Sequence, residues 1–390
     1  MWNVPCFSKT INMNLKPIVC FLIPLTLISC KLLRLYEEEE IVLKTATTNV
    51  QLKNNTPLVK VKINGTETNF LFDTGATGSC ITDTTIIQNF HKQQFANIGI
   101  ALGADGKRVK NKKFSVALQS ELFDASHKVM GVINLPLLSC QSKRTFSGIL
   151  GMDIFFENNL NMYLDFSKNQ LTNIGEDQIK SLLQQGNYHQ VESKFKYKKI
   201  FIFLTIEDKK YRFHLDTGYN GSITIPYHNN HQFKNANRRE ILGASHMTIS
   251  SVTTGKKISY EKMPVRFGGE NISTIVNLSS SISAQNVGTA FMKGFDWIID
   301  YHNQKVYVKR NSNLIAENFE RKISFGAQNN SGRLIVSAKD VLQTKYNIGD
   351  EIVAIKGQKI TVENICEMQT LLNSTEDWND LELEVKPIQK

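Results

Sequence analysis

The sequence predicts a mainly β protein that uses one plan twice and then adds a small α+β module. Three observations predict it. Residues 70–79 read FLFDTGATGS and residues 213–222 read FHLDTGYNGS, the same acid-centred turn 143 positions apart. Each turn is preceded by two alternating strands and followed downstream by a glycine in a short apolar setting and then a Leu/Ile-Asp-aromatic strand. Beyond about Ser312 that pattern stops and a different one begins.

The chain has 390 residues and is 41% hydrophobic, enough for roughly two or three compact domains. Its net charge is +10 and its pI is about 9.1, but the positive residues are scattered. No Arg-rich run, zinc-finger spacing or RNP-like aromatic string accompanies them, so the charge reads as a solvated basic surface and no nucleic-acid partner is expected.

At the N-terminus, Lys16 precedes the apolar run PIVCFLIPLTLIS, which ends at Cys30. The run is too short to span a bilayer comfortably and has the layout of a secretory signal. Leu27-Ile28-Ser29-Cys30 resembles a bacterial lipobox. The resemblance implies a signal over 1–29 (with Met13 as the true start), cleavage before Cys30 and acylation of its thiol. An ordinary cleaved signal peptide is the alternative. Two or more acyl chains give stable anchoring, so the expected location is the cell envelope, lipid-anchored at the outer membrane on its periplasmic or surface side. Residues 30–48, with four successive glutamates, read as the acylated cysteine and a solvated tether.

The first copy, 49–175, opens with PLVKVKINGTETNFLFDTGA. Two strands flank Asn64-Gly65, a strong hairpin signal. In the second copy, 176–312, KIFIFLTIEDKKYRFHLDTGY repeats the plan. Laid together without gaps, Ile63 meets Ile206, Phe70 meets Phe213, Asp73 meets Asp216 and Gly78 meets Gly221. Residues 147–170 and 287–305 form the downstream echo, with Asp165 and Asp300 in matching strands. Between the copies, EDQIKSLLQQG reads as a short helix ending at Gly186.

A carboxylate on a Thr-Gly turn suits proton chemistry, because glycine leaves a backbone N–H close enough to bond the acid and threonine can tie the turn to a neighbour. A two-fold relation between the copies brings Asp73 and Asp216 together. Two adjacent carboxylates cannot both be charged cheaply, so one keeps a proton. Such a pair activates a water while protonating the atom under attack.

These residues carry a family resemblance. FLFDTGATGS with ILGMD, and FHLDTGYNGS with VGTAF, resemble the aspartic proteases (retropepsin- or pepsin-like), whose shared-proton carboxylates are a known pattern. The resemblance covers roughly 50–312. It implies two pseudo-symmetric β-barrel lobes, catalysis by Asp73 and Asp216, loops braced by Thr74 and Thr217, and backbone donors at Gly75 and Gly218. It implies an aspartic endopeptidase acting on peptides or unfolded proteins; with no Walker spacing in GADGKR and no HExxH or zinc spacing around His228 and His231, no cofactor and no metal are expected. Flap candidates are ALGADGKR (Gly103, Asp105, Gly106) and SSVTTGKK (Gly255); plain surface hairpins are the other reading. Ala76 and Tyr219 stand where pepsin-like enzymes place a short hydroxyl, so neither acid is expected to receive one and a less acidic pH optimum follows. His214 shares the face of Asp216 and reads as a core or interface histidine. Cys80 and Cys140 either pair with each other or are buried free thiols.

Residues 318–388 form the separate module. RLIVSA, DEIVAIKGQKI and DLELEVKPI read as strands and ENICEMQTLL as a helix. The segment 347–352 (NIGDEI) with a hairpin through Lys356-Gly357 resembles a bacterial-type PDZ domain, which implies a groove for a C-terminal peptide. The carboxylate loop of that family is not legible, and a packing or spacer role stays open. The alternative to an enzyme is a catalytically inactive peptide-binding lipoprotein that uses the lobe cleft and the PDZ-like groove.

Overall fold

A computed structural model describes residues 41–87, 96–135, 140, 145–228, 232–234, 237–319 and 324–388. The signal-like run, Cys30 and the glutamate tether therefore lie outside the described residues. Among the described residues the protein is mainly β, with sheets of 14 and 13 strands.

In the first half, Thr56–Ile63 and Thr66–Phe72 form a hairpin from Ile63↔Thr66 to Leu58↔Leu71. Its turn places Asn64 (φ 47°) and Gly65 (φ 85°) in the left-handed region, as a two-residue turn of matching twist requires. In the second half Lys199–Ile206 pairs with Lys209–Leu215, from Ile206↔Lys209 to Phe201↔His214. Glu207 (φ 46°) and Asp208 (φ 62°) make that turn. Strict alternation drives Ile200, Ile202, Leu204 and Ile206 inward and leaves the intervening residues partly exposed.

Each inner strand then runs parallel to its glycine segment. Leu71 stands opposite Ile149 and Phe72 opposite Leu150; His214 stands opposite Asn286 and Leu215 opposite Val287. The two Asp-aromatic strands, Met162–Asp165 and Phe295–Asp300, pair directly with each other, Met162↔Ile299 through Leu164↔Trp297. Gln170–Asn173 and Lys305–Arg310 flank them. The halves thus meet on a common sheet and share a core, in which Phe70, Phe72 and Phe155 join Phe213, Phe291 and Trp297. The connecting helix is Glu176–Gln185, where Gln178 caps the N–H of Gly175 at 2.8 Å.

Each half also carries a long hairpin. Ala96–Leu102 and Arg108–Gln119 turn at 103–107; Arg238–Met247 and Val252–Phe267 turn at 248–251. The C-terminal segment has its own core of Phe325, Leu334, Val336, Tyr346, Leu372 and Trp378 beneath the helix Ile365–Ser374. It is attached in two places. Arg333–Asp340 pairs with the second hairpin, Ile241↔Asp340 and Leu242↔Lys339, beside an Arg239–Asp340 ion pair of 2.8 Å. Cys140 is disulfide-bonded to Cys366. The Cys80–Cys140 pairing is therefore corrected: Cys80 is a buried free thiol, and burial pushes it up to about 12. Cys140 is bound instead to a partner 226 residues away, in the first turn of the C-terminal helix.

Candidate active site

The site is built where the two hairpin strands end. Phe72 and Leu215 deliver the chain into the turns, and Asp73 N–H and Asp216 N–H donate to the carbonyls of Leu150 and Val287 at 3.0 Å each. Thr74 and Thr217, both fully buried, interlock across the halves. Thr74 N–H donates to Thr217 Oγ1 (2.9 Å) and Thr217 N–H to Thr74 Oγ1 (3.0 Å). The Thr74 hydroxyl donates to Leu215 C=O and the Thr217 hydroxyl to Phe72 C=O, both at 2.7 Å. Each hydroxyl is thus both donor and acceptor, a role only Ser or Thr can fill at this size.

This interlock sets Asp73 and Asp216 face to face: the Cβ position of Gly75 is 2.5 Å from Asp216 Oδ1 and 2.9 Å from Asp73 Oδ1. Asp73 Oδ1 accepts from the N–H groups of Gly75 (2.7 Å) and Ala76 (3.1 Å). Asp216 Oδ1 accepts from Tyr219 N–H at 3.1 Å, and its Oδ2 accepts from Asn286 Nδ2 at 2.7 Å. Gly75 and Gly218 face the opposite acid: a Cβ on Gly75 would stand 2.5 Å from Asp216 Oδ1, and one on Gly218 would strike the Asp73 carboxyl. Glycine there is a condition of the acids' proximity. Behind the turns, Gly151 packs so close to Gly78 that a Cβ would lie 2.7 Å from its carbonyl carbon.

Burial pushes both carboxyls up. Backbone donors from Gly75 and Ala76 oppose the rise at Asp73, whereas the charge of Asp73 drives Asp216 well above the usual carboxylate range. Two carboxyls so placed cannot both ionise cheaply, and the pair titrates as a unit. His214 is pushed the other way, down to about 3, by burial and then by Lys199. Its ring lies 5.5 Å from Phe201.

The hairpin tips meet. Ser250 donates to Asp105 Oδ2 at 2.5 Å, and Ser283 N–H and Oγ both donate to Ala104 C=O, at 3.1 and 2.9 Å. Burial pushes Asp105 up, but the Ser250 hydroxyl and the Lys107 N–H outweigh it and hold the carboxyl low. Ala101 and Ile249, one from each hairpin, pack in the same apolar cluster as Ala76, Leu71 and Ile149. The hairpins thus join at their tips and pack on the apolar cluster beside the first acid turn, and are not isolated surface loops. Gly103 and Gly106 bracket the first tip, with Gly106 at φ 80°. Gly255 is a correction: it lies inside the strand Val252–Phe267, opposite Ala244, and the tip is 248–251. Its lack of a side chain answers the close approach of Ser280 and Ser281, which is the other common reason for a strand glycine.

Residues 53–163 match the family model of the retroviral aspartyl proteases. No curated protein matches the chain. The matched stretch contains Asp73, the first long hairpin and the glycine segment at Gly151, so the first half carries an aspartyl protease-like domain. Asp216 lies beyond the match and reaches the site through the threonine interlock.

Two features were missed from sequence. Asn286 supplies Asp216 with the side-chain donor that neither Ala76 nor Tyr219 can give, from a segment 70 residues away. The signal was the contrast between 285–288 (QNVG) and 148–151 (GILG), where Asn286 replaces Ile149. Tyr219 itself turns aside to Thr224, with its hydroxyl 2.5 Å from Thr224 Oγ1. The second feature is the state of the C-terminal strand edge. Asn373 takes both the N–H and the C=O of Ala327 at 2.9 Å each, and Gln369 Oε1 takes Asn329 N–H at 2.6 Å. An incoming peptide strand would have to displace all three bonds. Of the two roles open for this module, these contacts support packing.

Proposed function

We propose that the protein is an aspartic endopeptidase that cuts extended peptides and unfolded proteins. Water held between Asp73 and Asp216 gives a proton to the ionised carboxylate and attacks the peptide carbonyl carbon. The neutral carboxyl gives its proton to the carbonyl oxygen. Return of a proton to the nitrogen lets the C–N bond break, with no covalent enzyme intermediate. The observation that carries this reading is the threonine interlock that sets two half-buried carboxyls face to face, with the Gly75 Cβ position 2.5 Å from Asp216 Oδ1 and 2.9 Å from Asp73 Oδ1. We place the enzyme in the cell envelope, held by lipid on Cys30; loss of membrane partitioning in Cys30→Ser tests that part.

The inactive peptide-holding alternative draws no support from the module, whose strand edge is occupied by Asn373 and Gln369. The deciding experiment follows hydrolysis of an unstructured protein across pH 3–8, with and without a statine-type inhibitor, by the purified wild type and by Asp73→Asn. The variant is expected to fold and to lose cleavage. Hydrolysis at the wild-type rate by Asp73→Asn would refute the proposal.

A further inference from the structure

The two walls beside the acids occupy equivalent register positions and differ in chemistry. In the first half Leu71 stands opposite Ile149 in a parallel pair, and both belong to an apolar cluster that includes Ala76, Ile133 and Phe146. In the second half the same two places are His214 and Asn286, again opposite each other in a parallel pair. His214 is two residues before Asp216 and so shares its face. Asn286 is fixed beside the acid by its own hydrogen bond to Asp216 Oδ2.

Both side chains are buried, His214 at 7% exposure and Asn286 at 6%. Yet His214 Nε2 and Asn286 Oδ1 are buried without a hydrogen-bond partner. Buried polar atoms are seldom left so, because each keeps its full desolvation cost. Two of them on residues paired across one strand register, one of which is hydrogen-bonded to the Asp216 carboxyl, describe a place that expects a polar group.

We propose that His214 and Asn286 form a side-chain subsite beside Asp216 that takes an uncharged carboxamide, asparagine or glutamine, at one of the two positions flanking the cut. The Leu71–Ile149 wall takes an apolar side chain at the other. A carboxamide offers an N–H to Asn286 Oδ1 and a carbonyl oxygen to His214 Nε2–H on separate atoms, which suits two separate partners. A carboxylate side chain does not suit the place, because it would be buried beside the like charge of the dyad, and an ammonium or guanidinium would pair with the ionised acid and leave Asn286 Oδ1 and His214 Nε2 unserved. Burial that keeps His214 neutral agrees with this.

The subsite rests on the endopeptidase reading, so two measurements separate their failures. In the first, the wild type is given a pool of unstructured peptides, and the residues flanking each cut are read by mass spectrometry. Asparagine or glutamine is expected at one flanking position and an apolar residue at the other. Replacing that asparagine by leucine in a single peptide should lower kcat/KM about 10- to 100-fold, as for a site whose buried polar groups are left unpaired. His214→Leu, and His214→Leu with Asn286→Ile, carry the first half's residues and should reverse that ratio. In the second, calorimetry compares statine-type peptides bearing asparagine or leucine at that position, which needs no turnover. The asparagine form should bind more tightly to the wild type and more weakly to His214→Leu. Apolar preference at both flanking positions, or equal binding of the two inhibitors, overturns the subsite while leaving the endopeptidase in place. Tighter binding of the asparagine inhibitor without any hydrolysis supports the subsite and removes the endopeptidase. Failure of both inhibitors to bind overturns both.

Discussion

Replacing Thr74 by valine tests the interlock on which the acid pair depends. The change keeps the shape of the side chain and removes one hydroxyl. Two buried backbone groups then lose their partners: Leu215 C=O, which accepts that hydroxyl at 2.7 Å, and Thr217 N–H, which donates to it at 3.0 Å. Both threonines are fully buried, so water cannot substitute. At roughly 1–3 kcal/mol for each unsatisfied group the expected loss is about 4 kcal/mol, a large share of the 5–15 kcal/mol typical of a folded domain. Thr74→Ser keeps the hydroxyl and loses one methyl, for about 1 kcal/mol. Urea unfolding of the wild type and both variants at pH 7 reads the difference as a shift in midpoint at constant slope. Valine and serine variants of equal stability would refute the reasoning, because the hydroxyl would then contribute nothing that its methyl neighbour does not. The pair of variants also isolates geometry: if the turns separate when the interlock is cut, cleavage should fall in Thr74→Val and persist in Thr74→Ser.

Two further outcomes are expected. His214 is neutral in the fold, with its value lowered to about 3 against 6.5 when unfolded, so the unfolded chain binds the extra proton. Its contribution is complete above pH 6.5 and drains away as pH falls toward 3, about 2 kcal/mol of it by pH 5. The acid pair has the opposite sign, since its raised values stabilise the fold as pH falls. The comparison of wild type with His214→Leu in urea at pH 7 and pH 5 isolates the histidine, and an unchanged gap between them would refute it. Removing the disulfide with Cys140→Ser and Cys366→Ser frees a closure of 226 residues, worth at most about 5 kcal/mol by loop entropy. A reductant should destabilise the wild type and leave the double variant unaffected, with amide exchange rising in the helix Ile365–Ser374; equal response of both proteins to reductant would refute the bond's role.

Much of the fold was legible because a duplicated pattern can be compared with itself. Asn64-Gly65 announced one hairpin turn, and alignment carried the prediction to Glu207-Asp208, which hold no glycine and would not have been read as such a turn alone. Asp73, Asp216, Thr74 and Thr217 were legible for the same reason, and the structure brings all four together. What escaped was long-range chemistry between unlike segments. Cys140 and Cys366 share no motif, the pairing of Asp340 with Ile241 joins strands of different modules, and Gly255 marked a close approach where a turn was expected. Asn286 escaped because its importance is a difference between the copies, whereas the comparison had sought likeness.

That last failure separates two kinds of information in the chain. Likeness between the copies specifies what must be common to both halves: turns that carry an acid, threonines that lock, glycines that admit the opposite carboxyl. Such elements build a nearly symmetric pair, and symmetry alone cannot decide which acid carries the proton or which side of a peptide it faces. The departures from likeness decide that. Ala76 gives Asp73 only a backbone donor, whereas Asn286 gives Asp216 a side-chain one, and Leu71 with Ile149 is an apolar pair where His214 with Asn286 is a polar one. Under the endopeptidase reading proposed above, the repeat encodes the reaction, and its mismatches encode the direction and the choice of substrate.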